Sequence, residues 1–252
     1  MNAPGLVWSD YQRAVIDHIR TGKGGALVDA RAGASKTTVI VEAVKEFYTS
    51  CWVLAFNTRT CEELVRRINF MTAAQPRTFN SLGWSALRGN GFAHLEIDRR
   101  REWQRARRVV DLGFPGLSYQ EAAPLLRQLV SLVEYAKNTL QTKEGQILAL
   151  VLARGCVGEA NRVVEMALAM IKEALEDKAK VSFTDQIWLP VVRGLPPMAC
   201  DTVLVDEYQD LSPMQLALLE RAVNPGGRLI LVGDEHQNVF GWRGADAGAV
   251  DR

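Results

Sequence analysis

Residues 26–38 read Ala-Leu-Val-Asp-Ala-Arg-Ala-Gly-Ala-Ser-Lys-Thr-Thr. A short apolar run, a turn of small residues and a Lys-Thr pair opening a helix are the context of a phosphate-binding loop. The backbone N–H groups of such a turn converge on phosphate oxygens, and the helix N-terminus adds favourable potential. Ala32, Gly33, Ala34 and Ser35 are the expected cradle, with Thr38 beside it. Lys36 would reach the β- and γ-phosphates, and Thr37 would place its hydroxyl on Mg2+. The strict pattern has glycine where Ala30 and Ser35 stand. The second departure matters more, because glycine before the lysine lets backbone approach phosphate without a Cβ. Ser35 either narrows that approach or adds a hydroxyl contact. A small-residue turn that binds nothing is the plain alternative.

Further along, Val203-Leu204-Val205 ends in Asp206-Glu207. Asp206 at a strand end would hold Mg2+, and Glu207 would polarise an attacking water as general base. Alone, such a pair is an ordinary solvated turn; after an apolar strand and downstream of Lys-Thr-Thr it is far more specific. The run Leu229–Val232 ends in Gly233-Asp234, with Gln237 just beyond. An amide both donates and accepts, so Gln237 can contact a γ-phosphate and a neighbour together. A glutamine in a loop is otherwise surface decoration, and His236 reads as a partly exposed loop residue.

Around these points the chain alternates. Ser9 and Asp10 start a helix over Tyr11–Ile19. A helix is expected over about Lys36–Tyr48, a strand over Cys51–Phe56 and a helix over Thr60–Phe70. From Gly89 to Lys180 the pattern turns mostly helical, with helices over Arg99–Val110 and Tyr119–Ala136. Val164, Leu168, Ile171 and Leu175 recur at helical spacing on a third helix, whose Met166 and Met170 read as core filler. Strands return at Thr202–Val205 and Leu229–Val232. The alternation predicts an α/β fold, a parallel sheet flanked by helices with a helical block inserted between its strands.

Composition narrows the classes. In 252 residues, 30 basic side chains nearly cancel 29 acidic ones, which excludes a histone-like polycation but not a local nucleic-acid groove. Hydrophobic residues at 48% and charged residues at 23% argue against a disordered chain. Cys51, Cys61, Cys156 and Cys200 stand far apart, and no histidines share ligand spacing. That argues against a zinc site or disulfide framework and fits a reducing, cytoplasmic setting. No apolar run approaches the ~18 residues of a membrane span, and the N-terminus lacks a signal core.

Taken in order, these segments resemble the UvrD/Rep-type superfamily 1 DNA helicases. Tyr11-Gln12 is similar to the Q motif, Ala30–Thr38 to motif I, Leu54-Ala55-Phe56-Asn57 to motif Ia and Thr78–Gly83 to motif Ib, where the family often has His in place of Asn80. Phe183-Thr184-Asp185-Gln186-Ile187 resembles the segment re-entering the first RecA-like domain. Asp206-Glu207-Tyr208-Gln209-Asp210 resembles motif II, with Tyr208 in the usual alanine position. Gly233–Gln237 through Phe240–Ala245 resembles motif III. The resemblance implies ATP and Mg2+ as ligands, with Gln12 on the adenine edge. It implies Phe56 and Trp242 as platforms for unpaired bases, and Asn57, Thr78 and Ser81 near the strand's backbone. Arg243 would link the nucleotide site to the groove. Phe56 ends an apolar strand and reads equally as core; Trp242, in a glycine-flanked turn beside Arg243, is harder to explain that way. Six arginines between Arg99 and Arg108, with Trp103 among them, read either as a phosphate contact or as a solvated basic helix face.

The same resemblance divides the chain into a RecA-like first segment over 1–88, a helical insert over 89–180 and a second RecA-like segment over 181–252. The expected partners are single-stranded DNA, or a junction of single and double strand, and a second RecA-like domain in cis or trans; no membrane is expected. An arginine finger from that second domain is worth ~10³–10⁵ in rate, so weak hydrolysis and no processive unwinding are expected of this chain alone. The competing expectation is a nucleotide-regulated single-strand binding module without efficient turnover. A small-molecule kinase is disfavoured by the long separation of Lys36 from Asp206 and by the Trp-Arg-Gly-Ala segment.

Overall fold

Cys51–Ala55 and Cys200–Asp206 are rich in Val, Leu and other residues that pack on a pleated surface, and they lie side by side at the centre of a parallel sheet. A computed structural model describes residues 7–31, 33–45, 47–68 and 72–237. In chain order it runs through α1 (Asp10–Thr21), β1 (Ala26–Asp29), α2 (Lys36–Val44), β2 (Cys51–Ala55), α3 (Thr58–Arg67), β3 (Ala74–Thr78) and α4 (Phe79–Gly89). The helical block follows: β4 (Glu96–Ile97), α5 (Arg101–Gly113), α6 (Tyr119–Asn138), α7 (Glu144–Arg154), α8 (Ala160–Glu176) and β5 (Lys180–Val181). Then come α9 (Asp185–Arg193), β6 (Cys200–Asp206), α10 (Pro213–Glu220) and β7 (Val223–Gly233). The sheet order is β1-β7-β6-β2-β3, every pair parallel, and β4 pairs with β5 separately.

Alternation along the strands builds two cores, one per face. Cys51, Val53 and Ala55 of β2 join Leu204, Ile230 and Val232 under α1, α2 and α3. Trp52 and Leu54 join Val203, Val205 and Leu231 on the other face. That second core continues without a break through α4 and α9 into the helical block, as far as Val133, Ile147 and Met170. Met166 and Met170 are buried there, as expected. The apolar stripe of α8 is turned toward Val163, Ala167 and Ala174, leaving Leu175 exposed.

Element ends depart from the expected ones for identifiable reasons. The Thr72 hydroxyl donates to the Val44 carbonyl at 2.6 Å, and α2 stops there, short of Tyr48. The Asn57 side chain accepts from Thr60 N–H at 2.8 Å, so α3 starts at Thr58. β3 carries Gln75, Pro76 and Arg77 and is an edge strand, which hides it from an apolar pattern. The arginine run divides: Arg99, Arg100 and Arg108 lie at the surface, as a solvated basic face would, while others turn inward. Arg105 is fully buried, and Arg101 and Arg108 pair with Asp177 and Glu173 of the α8 end. Among the described residues no helix is long and apolar enough to cross a membrane.

Candidate functional site

The phosphate-type turn leaves the C-terminal end of β1 and is tied to its neighbour: Ala30 N–H donates to the Gly233 carbonyl at 2.7 Å. Gly33 at φ 78° and Ser35 at φ 58° both sit in left-handed backbone, which curls the turn around the start of α2. Among the described residues no side chain caps α2. Its first N–H groups therefore have no side-chain acceptor, the arrangement an anion fills. Ala32 lies outside the described residues. Gln12 reaches this turn from α1, its amide donating to the Ala34 carbonyl at 3.1 Å while its oxygen accepts from Ser9 N–H. Thr38 accepts from the Arg67 guanidinium at 2.7 Å.

Across β7, the end of β6 meets this turn. Lys36 is buried, with Nζ 3.1 Å from Glu207 Oε2. The Thr37 hydroxyl donates to Asp206 Oδ2 at 2.6 Å. Asp206 is buried and, among the described residues, its other oxygen, Oδ1, has no hydrogen-bond partner. Burial pushes the Asp206 carboxyl up from its ordinary value; the Thr37 hydroxyl pulls it down, Glu207 pushes it up and Lys36 pulls it down. An orphaned, buried carboxylate oxygen beside a threonine hydroxyl fits a hard cation. Among the described residues no three His, Cys, Asp or Glu group closely enough to hold a metal ion. A cation at Asp206 must therefore complete its shell from phosphate and water.

Glu207 itself takes φ 60°, a conformation costly for a side-chain-bearing residue and concentrated at functional sites. Gln209 holds it, donating to Glu207 Oε2 at 2.9 Å and accepting from Asp234 N–H at 3.0 Å. This clamp between the ends of β6 and β7 was not foreseen from sequence, where Gln209 is one polar residue among several. It also explains Gly233: a Cβ there would lie 2.2 Å from Gln209 Oε1. Gln237 sits half-buried on a short 3₁₀ turn, its N–H donating to the Asp234 carbonyl at 3.0 Å.

A second feature opens at the ends of β2 and β3. A cleft of about 450 Å³ is lined by Phe56, Asn57, Thr58, Thr78 and Asn80 on one side, and by Phe183, Thr184 and the Tyr135–Asn138 end of α6 on the other. Phe56 is half-buried and stacks edge-on with Phe79, ring centroids 6.2 Å apart. Ser81 is not in the lining; Thr78 and Ser81 exchange hydrogen bonds as the capping box of α4. Trp242 and Arg243 lie outside the described residues. Phe183, in the segment that resembles the family's re-entry into the first RecA-like domain, is 51% exposed and faces the cleft, its carbonyl taking the Asn80 amide at 2.8 Å. An aromatic next to a helix-starting Thr-Asp is the signal that could have found it. Tyr135 and Asn138 carried none, since only packing brings α6 here.

Known proteins are similar to this chain in sequence. It is 26% identical over 250 residues to ATP-dependent DNA helicase Rep of Escherichia coli K12, covering 88% of this chain and 35% of that protein. It is 24% identical over 257 residues to ATP-dependent DNA helicase PcrA of Leuconostoc citreum, covering 90% and 33%. A 44-residue stretch is 54% identical to RecBCD enzyme subunit RecB of Mycobacterium tuberculosis, covering 18% and 4%. The chain thus spans about a third of the length of Rep and PcrA. The UvrD/REP helicase N-terminal domain matches residues 8–252, and the chain belongs to that family.

Proposed function

We propose that this chain is the ATP-binding half of a DNA helicase, which couples ATP binding and hydrolysis to movement along single-stranded DNA once a second RecA-like domain completes it. The observation that carries this is the pairing of Lys36 with Glu207 and of Thr37 with Asp206, which joins the start of α2 to the end of β6. In this reading Lys36 and the 33–38 turn bind the phosphates, and Gln12 reads adenine. Mg2+, held by Thr37 and Asp206, would neutralise charge on the phosphate oxygens. A triphosphate competes with Glu207 for the Lys36 ammonium, and the released carboxylate orients the attacking water. Gln237 senses the γ-phosphate, and Arg243 relays it to the groove.

The cleft at Phe56 receives single-stranded DNA, or the single strand of a junction. Glu134 and Asp210 in its lining repel phosphate, so base faces rather than backbone enter it. Base stacking on Phe56, Phe183 and Trp242 at ~1–3 kcal/mol per base supplies affinity without reading sequence, while Asn57, Thr78 and Ser81 lie toward the strand's backbone. The three-part division at residues 88 and 180, a cytoplasmic setting and the second domain in cis or trans belong to the same proposal. A second reading, a nucleotide-regulated binder without efficient turnover, is favoured by the Ser35 Cβ in the phosphate turn.

ATP-analogue affinity and ATPase rate, each with and without single-stranded DNA, test this. Lys36→Ala should lose nucleotide affinity, and Glu207→Gln should bind nucleotide but not turn it over. Hydrolysis by the 252-residue chain should be weak until the second domain is added. Turnover by Glu207→Gln equal to wild type would sink the assignment, and nucleotide binding without any turnover would select the second reading.

A further inference from the structure

Directly behind the cleft lies a cluster of charges with no access to water. Arg105, Lys137 and Asp185 are fully buried, with Glu102 and Ser182 nearly so. Lys137 Nζ is 2.7 Å from Asp185 Oδ1 and also bonds Glu102; Arg105 Nη1 is 2.6 Å from Asp185 Oδ2 and 3.2 Å from Glu102 Oε1. The Ser182 hydroxyl donates to Glu102 at 2.9 Å and accepts from Asp185 N–H at 3.1 Å. Lys137 Nζ also stands over the Trp188 ring, 4.9 Å from its centroid.

The cluster joins α5, α6 and α9, and its neighbours in sequence are cleft walls. Asn138 follows Lys137, and Phe183 and Thr184 precede Asp185; all three line the cleft. A buried ion pair is weak evidence for stability, because desolvation offsets most of its attraction. Its geometry is nevertheless demanding, since each charge must find the other at one separation. We propose that Lys137 and Asp185 are positioning residues for single-stranded nucleic acid: they lock the Phe183–Thr184 turn to the end of α6 and so set the spacing of the cleft's walls. This rests on the reading of that cleft as the single-strand site.

Two variants of the 252-residue chain test it. Lys137→Met with Asp185→Asn removes one cation and one anion together, leaving Arg105 opposite Glu102. Ser182→Ala leaves every charge in place and removes the hydroxyl that accepts from Asp185 N–H and donates to Glu102. Thermal unfolding is measured with the affinities for a fluorescent ATP analogue with Mg2+ and for a fluorescein-labelled oligothymidylate. Nucleotide affinity should stay near wild type, while oligothymidylate affinity falls about tenfold in the paired variant, the equivalent of one lost stacking contact, and less in Ser182→Ala. If the paired variant does not fold, Ser182→Ala decides. A folded variant that binds oligothymidylate like wild type overturns the positioning role. So do equal losses of both affinities, which mark a cluster that only supports the fold. Failure of the wild type to bind oligothymidylate overturns the cleft assignment instead.

Discussion

Ser35 holds φ 58° and ψ 35°, a conformation glycine adopts freely and other residues at a cost of ~1–2 kcal/mol. Replacing it by glycine relieves that strain but frees the unfolded chain by ~0.4–1 kcal/mol, so a small net gain in stability remains. Ser35→Gly should therefore raise the melting temperature slightly. Its main effect belongs in nucleotide affinity, which should rise once no Cβ stands in the turn; a fluorescent-analogue titration reads this. Asp206 makes the opposite trade. Removing its buried charge should stabilise the metal-free chain by about 1 kcal/mol. Asp206→Asn should raise the melting temperature and abolish the effect of Mg2+ on nucleotide affinity. Asp206 and Glu207 were legible because they stand at the end of an apolar strand, and Lys36 and Thr37 because they open the helix that follows one across a small-residue turn; a parallel sheet delivers both segments to one edge. The Gln209 clamp was not legible, because its two partners are set by backbone bends at Glu207 and Asp234.

Between elements, α4 crosses α9 at close range. A Cβ on Gly83 would lie 2.2 Å from the Gln186 carbonyl oxygen. Alanine is worth ~1 kcal/mol more than glycine in a helix, yet this clash is with backbone, which no rotamer change relieves. Overpacking costs typically ~1–3 kcal/mol. Gly83→Ala should lower the urea midpoint, and because α9 carries Asp185 it should also weaken oligothymidylate binding. The buried sheet strands and long helices could be read from hydrophobic pattern. α4 and α9 could not, since they are short and each carries a glycine or proline inside it, Gly83 in one and Pro190 in the other. The arginines of α5 were visible as a run, but which of them turn inward depends on Asp177 and Asp185, 72 and 80 residues away from Arg105.

For the molecule as a whole, acid is the informative perturbation. Burial alone would push the Asp185 carboxyl up, but Lys137 and Arg105 beside it hold it well below its ordinary value of 3.8. Asp177 is also lowered: burial opposes it, while the Lys180 and Ala179 N–H groups and Arg101 pull it down. A carboxyl whose folded value is depressed stabilises the fold above its unfolded value and loses that contribution as pH falls through the folded one. Stability should therefore decline progressively below pH 3.8, and less steeply in Lys137→Met with Asp185→Asn. Urea midpoints across that range would show it. Fold class was legible because alternating strands and helices admit few parallel arrangements. How tightly the helical block is joined to the sheet was not, since no local pattern reports which face of Trp52 or Leu54 meets which helix.

That shared core makes the block a poor cassette. Val133 and Met170 belong to the same apolar interior as Trp52, Val203 and Leu231. A graft of residues 89–180 into a related scaffold would have to carry a matching sheet face with it, and excising them would flay the sheet rather than trim an appendage.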